Sequence, residues 1–543
     1  MSDSQIATAT LPSTNGRSGR HPHVLLLPYP AQGHVTPLME LAKRLAAQGI
    51  EIIFASMQHI HDKLTQAWTR SRDFSRFRHH IHLRGIRDGL PPEFDRETWS
   101  QQVNDAIAVG LEEGALELVG NLVSEGRPIT CIISDFFLRW TSSLAGKVGA
   151  PEWIFWPQSA GNFSIYLHTE EIISSGIDPY KIAAELSGSK EQAVQSDVDL
   201  PPQTQPRGVV TCIPGFPMGV PIAYLPFTTP FGDAAAQKVR EMLTQCFDRV
   251  SQAQGIIGNS YEALEQGILE ELTQRLKQQQ PNAEQNRRWP RSFRTVGPLV
   301  VEGTLYGIGG EKVTELSGTS FWREEVAECK EWLDKQPVAS VVYVAFGSLK
   351  VLTASQVQEV LLGMAASGHR FLMVVRRNAV RSKALTAETF GSQFGVALEE
   401  ALPPGFLESI QERCKLVAWA PQTMVLAHPS VGGFFSHCGW NSTLESLCCG
   451  VPILGWPWLM DQMSNCWLLS DVWKVGLLLE CNEANETTKE KVEIGIRKLM
   501  EGSLAERLRA QAMKIKDQAR EAARMNHGVL SLAQEIHLLA CNS

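Results

Sequence analysis

The chain has 543 residues, of which 43% are hydrophobic and 20% charged, and its formal net charge is -8. This length and composition predict a globular protein of two or more domains with a large apolar core. The mild acidic balance argues against a nucleic-acid-binding surface, and no apolar run in the sequence reaches the length of a transmembrane helix.

The first 20 residues are polar and lack the apolar core of a secretory signal, so we expect a disordered tail there; a transit peptide is the alternative. The 11 cysteines include no C-x-x-C pair, which argues against a disulfide framework and favours a reducing, cytoplasmic location. His79, His80 and His82 have no further ligand group nearby in the sequence, so we predict no metal site.

The ordered chain begins at His23 with the buried-type strand VLLLPYP and a short loop, AQGH. Thr36 as N-cap and Pro37 as first helical residue predict a helix, which Gly49 ends. IEIIFAS is the next strand. His34 therefore lies near the carboxyl end of a parallel strand, where ligands bind in such sheets, although a surface or capping role also fits.

A third strand, ITCIISD, ends at Asp135, which could also cap the helix that follows. The segment PEWIFWPQSAG gives a further strand and a turn that contains Ser159. Residues 301–319 are glycine-rich with little periodicity and predict an interdomain linker. SVVYVAFGS then opens a second sheet and ends at Ser348, either a ligand contact or a helix cap. The polar stretch 378–401 predicts a surface insertion.

Strands and helices alternate again up to Gln462 at a spacing that predicts a parallel sheet with crossover helices. After the strand VGGFFS, a glycine-containing turn leads from His437 into a helix that ends at Gly450. Free amides and the positive end of a helix dipole make such a turn an anion site. Ser442 and Glu445 also have the spacing of a capping box, so the local pattern leaves both roles open.

The 44 residues from Trp419 to Gln462 include W-A-P-Q, H-C-G-W-N-S, the glutamate and the closing D-Q. This segment resembles, nearly position for position, the signature of the plant secondary-product UDP-glycosyltransferases. The resemblance implies an α/β GT-B fold, in which two Rossmann-like domains with parallel sheets face a central cleft. It also implies a UDP-sugar donor, an inverting transfer and no metal or other cofactor.

The resemblance further implies an acceptor-binding domain at 21–300, a linker at 301–326 and a UDP-sugar-binding domain at 327–524. A last helix within 525–543 would pack back on the first domain. His34 would be the catalytic base and Asp135 its orienting partner, while Ser159 would touch the donor sugar and Phe136 the acceptor. The implied donor-binding residues are Ser348, Trp419, Ala420, Gln422, His437, Trp440, Asn441, Ser442, Glu445, Asp461 and Gln462.

Within that set, Trp419 would stack on uracil, Glu445 would bind the ribose hydroxyls, and His437, Asn441 and Ser442 would hold the diphosphate. Trp440, Asp461 and Gln462 would face the sugar. Gln462 in the last position suggests glucose, because relatives that use galactose or arabinose often have histidine there.

Phe136, Phe137 and Trp140 favour a flat hydrophobic acceptor with a hydroxyl group, such as a flavonoid, a phenolic or a terpenoid. We expect a monomer. Another UDP-sugar, a carbon acceptor or a non-catalytic nucleotide-sugar-binding protein are the alternatives. A nicotinamide oxidoreductase is disfavoured because G-x-G-x-x-G does not follow the first strand.

Overall fold

The computed structural model describes residues 21–91, 93–94, 96, 103, 106–182, 208–226, 233–278, 290–300, 319–321, 324–348, 352–375, 380–381, 402–482 and 485–542. The predicted tail 1–20, most of the predicted linker and nearly all of the predicted insertion at 378–401 lie outside these residues.

Seven parallel strands form the first sheet, in the order β3-β2-β1-β4-β5-β8-β9. Apolar residues fill these strands almost continuously, because helices cover both faces of a parallel sheet. A short antiparallel pair, β6 and β7, lies apart from the sheet. The nine strands are β1 His23–Leu27, β2 Glu51–Met57, β3 Ile81–Ile86, β4 Cys131–Asp135, β5 Glu152–Trp156, β6 Val209–Val210, β7 Val220–Pro221, β8 Gly255–Gly258 and β9 Phe293–Thr295.

Helices alternate with these strands. They are α1 Gln32–Ala46, α2 Gln58–Arg70, α3 Arg72–Phe77, α4 Leu111–Ser124, α5 Thr141–Val148, α6 Ala160–Leu167, α7 Thr169–Ser174, α8 Asp233–Asp248 and α9 Glu262–Gln278. A π-helical turn spans Ala106–Gly110, and 3-10 turns span Ile222–Tyr224 and Val250–Gln252.

Six parallel strands form the second sheet, in the order β14-β12-β10-β15-β16-β17. The strands of this half are β10 Val341–Ala345, β11 Leu352–Thr353, β12 Arg370–Val374, β13 Val380–Arg381, β14 Cys414–Val417, β15 Val431–Ser436, β16 Ile453–Gly455 and β17 Gly476–Leu478. The predicted strands SVVYVAFGS and VGGFFS are confirmed as β10 and β15.

The helices of the second half are α10 Val326–Asp334, α11 Ala354–Ala366, α12 Phe406–Ile410, α13 Gln422–Ala427, α14 Trp440–Cys449, α15 Asp461–Trp467, α16 Lys489–Met500, α17 Gly502–Met525 and α18 His527–Asn542. A π-helical turn, Leu468–Val472, follows α15. None of the helices that the structure describes combines the length and the apolarity needed to cross a membrane.

One buried apolar cluster contains residues of both halves, such as Trp156 and Phe163 beside Leu444 and Trp473, so the two domains share part of their core. The last helix, α18, packs on the first domain, where Val529, Leu532 and Ile536 are buried with the residues of β1 and α1.

One predicted boundary is wrong. Helix α1 begins at Gln32 with Ala31 as its N-cap, so Thr36 is not a cap and Pro37 lies inside the helix. Proline has no N–H group and cannot complete the helical hydrogen bond to the carbonyl four residues earlier, that of Gly33. That carbonyl instead accepts a 2.6 Å hydrogen bond from Nδ2 of Asn441 in the second domain.

Candidate active site

His34 and Asp135 form a hydrogen-bonded pair at the carboxyl edge of the first sheet. Asp135 is the last residue of β4, and His34 is the third residue of α1, which follows the neighbouring strand β1. The Nδ1 atom of His34 lies 2.8 Å from Oδ2 of Asp135, and the other carboxylate oxygen accepts a 3.0 Å bond from the backbone N–H of Phe137. With its proton on Nδ1, the imidazole can accept a proton at Nε2.

The two side chains differ in exposure. The Asp135 side chain is fully buried, whereas 21% of the His34 side chain is exposed. Asp135 does not cap the next helix, because α5 has Trp140 at its N-cap position and no side-chain cap. The alternative role considered for Asp135 is therefore wrong.

Arg249 supports this pair by hydrogen bonds to the backbone at Asp135. It is buried, and its Nη2 donates to the backbone carbonyls of Asp135 at 2.8 Å and Phe136 at 2.9 Å. Its Nη1 donates to Glu152 Oε1 at 2.9 Å, which neutralises the buried charge. No sequence pattern pointed to this role, because Arg249 directly follows the polar helix α8 and lies far from Asp135 along the chain.

Residues of both domains line a cleft between the sheets. His34 and all 11 predicted donor-binding residues lie on its wall, and so do Gln158, Thr319, Ser320 and Glu324. Asp135, Ser159 and Phe136 do not reach it. The cleft thus brings together the parts of the chain that the sequence analysis selected separately.

Gln422, Ser442 and Glu445 form a polar cluster on the wall of the cleft. Nε2 of Gln422 donates to Ser442 Oγ at 2.8 Å and to Glu445 Oε2 at 2.6 Å. The pKa of Glu445 is raised to about 7, mainly because the carboxyl group is buried. The hydrogen bond from Gln422 opposes this rise, and the charge of Glu40 adds to it. When it is ionised, Glu445 can accept hydrogen bonds from hydroxyl groups that enter the cleft.

Glu324 is a further carboxyl group on the cleft wall, near Glu445, that sequence reasoning missed. Burial and the nearby charge of Glu445 raise its pKa to about 7, and its Oε2 atom is buried without a hydrogen-bond partner. It lies just before α10, at a position without a pattern that could have singled it out.

The turn before α14 presents a helix N-terminus to the cleft. The helix begins at Trp440 with Gly439 as its N-cap, and no side chain caps it. Ser442 is therefore not an N-cap and the capping-box alternative is wrong. The first-turn amides of such a helix lack intrahelical partners and are available to an anion.

Two glycines enclose the ring of His437 at this turn. A Cβ atom on Gly347 or on Gly439 would lie 2.5 Å from Nε2 of His437, so neither position has room for a side chain. Gly347 also has a positive φ of 74°, which favours glycine. The close packing fixes the ring between β10 and α14, on the wall of the cleft.

Asp461 and Gln462 lie at the start of α15. Oε1 of Gln462 accepts from the backbone N–H groups of Trp458 at 2.9 Å and Leu459 at 3.2 Å, which leaves its NH₂ group for a ligand. Burial raises the pKa of Asp461 to about 6, although hydrogen bonds, first that of Asn465, and the charge of His34 lower it.

The expected placement of Trp440 is wrong for its side chain. The residue borders the cleft, but its indole is 3% exposed and its Nε1 donates to the carbonyl of Asn259 at 2.7 Å. Helix α14 turns this side chain towards Asn259 of the first domain, and the indole packs near Trp473 of the second domain.

The expectations for Ser159 and Phe136 are also wrong. Ser159 is fully buried and caps α6 by accepting from the backbone N–H of Asn162 at 3.0 Å. Phe136 is fully buried between Trp156 and Phe247. Trp140 is likewise buried, with its indole bonded to the carbonyl of Ile107.

Phe137 and Tyr29 are the aromatic residues next to His34. Their ring centroids lie 5.6 and 5.1 Å from the imidazole, and the two rings lie 6.1 Å apart. The sequence pointed to the aromatic pair after Asp135 but could not tell which ring faces His34. The alternation of a strand ends at Asp135, so that its period no longer applies at residues 136 and 137.

No group of three or more His, Cys, Asp or Glu side chains that could hold a metal ion occurs among the described residues. The eleven cysteines are all free thiols.

Residues 327–516 match the model of the family described as UDP-glucuronosyl and UDP-glucosyl transferase. UDP-glycosyltransferase 85A7 of Arabidopsis thaliana is 31% identical over 96% of this chain and 97% of its own length. A 7-deoxyloganetin glucosyltransferase of Gardenia jasminoides is 31% identical over 93% and 95% of the two chains. Linamarin synthase 1 of Manihot esculenta is 33% identical over 92% and 93%.

Solved structures agree in fold. A UDP-glucosyltransferase from Polygonum tinctorium, capable of glucosylating indoxyl, is 26% identical with a TM-score of 0.68, covering 96% of this chain and 99% of that one. Os79 of O. sativa, solved in complex with UDP, is 23% identical with a TM-score of 0.68, covering 95% and 100%. The predicted GT-B architecture is confirmed by this likeness and by the two parallel sheets.

Proposed function

Because the chain belongs to the UDP-glycosyltransferase family, whose members use a UDP-sugar donor, we propose that it transfers glucose from UDP-glucose to a hydroxyl group of a small hydrophobic acceptor. The product would be a β-O-glucoside, formed with inversion at the anomeric carbon. The observation that carries this proposal is the 2.8 Å contact between His34 Nδ1 and Asp135 Oδ2 beside the cleft.

In this mechanism Nε2 of His34 takes the proton of the acceptor hydroxyl as its oxygen attacks the anomeric carbon. Asp135 holds the imidazole in the required tautomer and stabilises the imidazolium that forms. The bond between the anomeric carbon and the UDP oxygen breaks, and its electron pair stays on UDP. The free amides at the start of α14, together with His437 and Ser442, would stabilise the negative charge that develops there.

The donor would lie along the cleft with its uracil against Trp419 and Ala420 and its ribose hydroxyls on Glu445. Ser348 and Asn441 would contact the diphosphate, and Asp461 and Gln462 the sugar. Support comes from the polar cluster of Gln422 with Glu445 and from the free NH₂ group of Gln462. We assign donor binding to the domain of residues 327–524 and acceptor binding to 21–300.

The acceptor would bind against Phe137 and Tyr29, which give the base an apolar surrounding. Small molecules are also the acceptors in the names of two similar proteins, 7-deoxyloganetin in one and indoxyl in the other. Flavonoid, phenolic and terpenoid alcohols all fit this description. We further propose a monomer in the cytoplasm, where a reducing environment suits eleven free thiols.

The test is UDP release from UDP-glucose over a panel of flavonoid, simple phenolic and terpenoid alcohols, with mass detection of the product. A glucoside from the native protein supports the reaction and the donor together and identifies the acceptor class. Turnover with a different UDP-sugar alone would contradict the donor assignment. UDP-sugar binding with no turnover on any acceptor would favour a non-catalytic nucleotide-sugar-binding protein.

A further inference from the structure

Two buried asparagines connect the domains next to Asp461, a residue of the cleft wall. Asn162 is the third residue of α6 in the first domain, and Asn465 is the fifth residue of α15 in the second. Both are fully buried, and Nδ2 of Asn162 donates to Oδ1 of Asn465 at 2.9 Å. A hydrogen bond between two buried neutral amides stabilises an interface only if all polar atoms of both amides have hydrogen-bond partners.

Every polar atom of the two amides has a partner. Nδ2 of Asn162 also donates to Ser159 Oγ at 2.9 Å, and its Oδ1 accepts from the hydroxyl of Ser464. Nδ2 of Asn465 donates to the carbonyl of Cys438 at 3.0 Å and to Oδ2 of Asp461 at 2.8 Å. The connection thus runs from the cap of α6, across the domain interface, to a carboxylate on the cleft wall.

We propose that Asn162 and Asn465 are positioning residues that hold the Asp461 carboxylate in the orientation that binds the donor sugar. The role extends beyond the donor contacts assigned above and rests on the proposed contact between Asp461 and the sugar. Asn162 belongs to the acceptor domain, so this positioning would operate only while the two domains are packed together.

The physical reason lies in the two-fold ambiguity of an amide. Asn465 presents NH₂ to Asp461 only if its oxygen points the other way, and the Asn162 Nδ2 donor makes that orientation the favoured one. Without Asn162, the oxygen of Asn465 would be left buried without a donor, and the Asn465 side chain would lose the bond that holds its NH₂ group against Asp461. Asp461 would then hold less firmly one of the hydrogen bonds that orient its carboxylate and help to keep it ionised.

The experiment compares the affinities of UDP and UDP-glucose by calorimetry in three variants of the full chain: Asn162→Ala, Asp461→Asn and, as control, Asn259→Ala. Asn259 is also a buried asparagine, and its Oδ1 accepts from the backbone N–H of Leu299 without contacting Asp461. In Asn162→Ala we expect UDP-glucose to bind about tenfold more weakly, the effect of one buried hydrogen bond, while UDP affinity stays within about twofold. The control variant should be less stable, but its affinities for UDP and UDP-glucose should be unchanged or reduced equally.

The double variant Asn162→Ala with Asp461→Asn separates positioning from packing. If Asn162 acts through Asp461, its substitution has no further effect on UDP-glucose affinity once Asp461 has been replaced. Additive losses, or equal losses for UDP and UDP-glucose in Asn162→Ala, would overturn the inference and leave a purely structural contact. An Asp461→Asn variant with unchanged preference for UDP-glucose over UDP would overturn the sugar contact itself, and the inference with it.

Discussion

Pro37 illustrates how one residue joins the two halves of the site. By lacking an N–H group it leaves the carbonyl of Gly33 without its helical partner, and Nδ2 of Asn441 donates to that carbonyl at 2.6 Å. Gly33 precedes His34, the proposed base, and Asn441 lies in the first turn of α14, the proposed diphosphate site. A proline inside a helix thus provides the acceptor for a hydrogen bond between base and donor site.

Replacing His34 tests its role as base. We expect His34→Ala to lower the turnover number by at least about 100-fold, because general-base catalysis contributes roughly that much or more. UDP affinity should persist, since the donor-side residues of the second domain are untouched. His369→Ala is the control: His369 lies in the second domain, paired with Glu501 at 2.9 Å, and should keep full turnover. Loss of UDP binding in His34→Ala would instead indicate a structural histidine.

Glu445 predicts a pH dependence of donor binding. Its pKa is raised to about 7, so the group becomes protonated as the pH falls through 7. The proposed ribose contact favours the ionised form, and affinity is therefore present above pH 7 and lost below it. We expect the dissociation constant of UDP-glucose to rise by up to about tenfold from pH 8 to pH 6, measured by calorimetry.

Glu324 lies nearby and has a similarly raised pKa of about 7, so it must be tested separately. Glu445→Gln should flatten the pH profile, whereas Glu324→Gln should leave most of it if Glu445 alone binds the ribose. A profile unchanged in Glu445→Gln would refute the assignment. UDP-glucose is the better probe here, because its diphosphate has no terminal group that titrates in this range.

At the level of elements, the second sheet places its ligand-facing turns by close packing of backbone and ring. Gly347 lies just after β10 and Gly439 just before α14, and the ring of His437 lies between them. A Cβ atom at either glycine would meet Nε2 of His437. A side chain at one glycine could therefore not push the ring aside without driving it against the other glycine. The position of His437 is thus set by two elements together.

Gly347→Ala tests this arrangement. Alanine at a φ of 74° costs roughly 1 kcal/mol, and the added methyl group would also displace His437. Gly368→Ala is the matched control, because Gly368 has a φ of 77° and nothing within 4 Å of an added Cβ. Both variants should unfold at lower urea concentration, but only Gly347→Ala should weaken UDP binding, by about tenfold or more. Equal UDP affinities in the two would show that His437 does not depend on this contact.

The elements were predictable from the sequence to the extent that their signals are local. Continuous apolar runs marked β1, β4, β10 and β15, and Gly450 ended α14 as expected, with a φ of 73°. The start of α1 was missed because proline is common at the first position of a helix, and Pro37 was therefore assigned to it. The helix in fact begins at Gln32. That helix is compatible with Pro37 since a side chain of the other domain satisfies the carbonyl left open.

The direction in which individual side chains point depends on tertiary packing and could not be predicted from the sequence. Ser159 turned inward to cap α6, and Phe136 and the indole of Trp440 joined the core between the domains. Arg249 and Glu324 contact the site from segments distant in sequence. By contrast, every residue of the second domain that was expected to bind the donor lines the cleft, because one contiguous segment of strand, turn and helix supplies most of them.

For the whole molecule, α17 and α18 return the chain to its first domain. Helix α17 packs on the second domain against α14, and Asn526, with a φ of 49°, forms the joint before α18. Helix α18 then packs on the first domain, where Glu535 pairs with Arg294 at 2.8 Å and His537 contacts the carbonyl of Gln48. The chain therefore passes between the domains twice, which favours a hinge motion over free separation.

The anchoring of α18 leads to a prediction on stability. Leu532 is fully buried against the first domain, whereas Leu538 on the same helix is 64% exposed. Leu532→Ala should destabilise the first domain by about 2–5 kcal/mol, the cost of a large-to-small change in a core. Leu538→Ala should change stability by less than about 0.5 kcal/mol. Urea unfolding followed by tryptophan fluorescence compares the two, and equal midpoints would mean that α18 contributes no stability where it contacts β1 and α1.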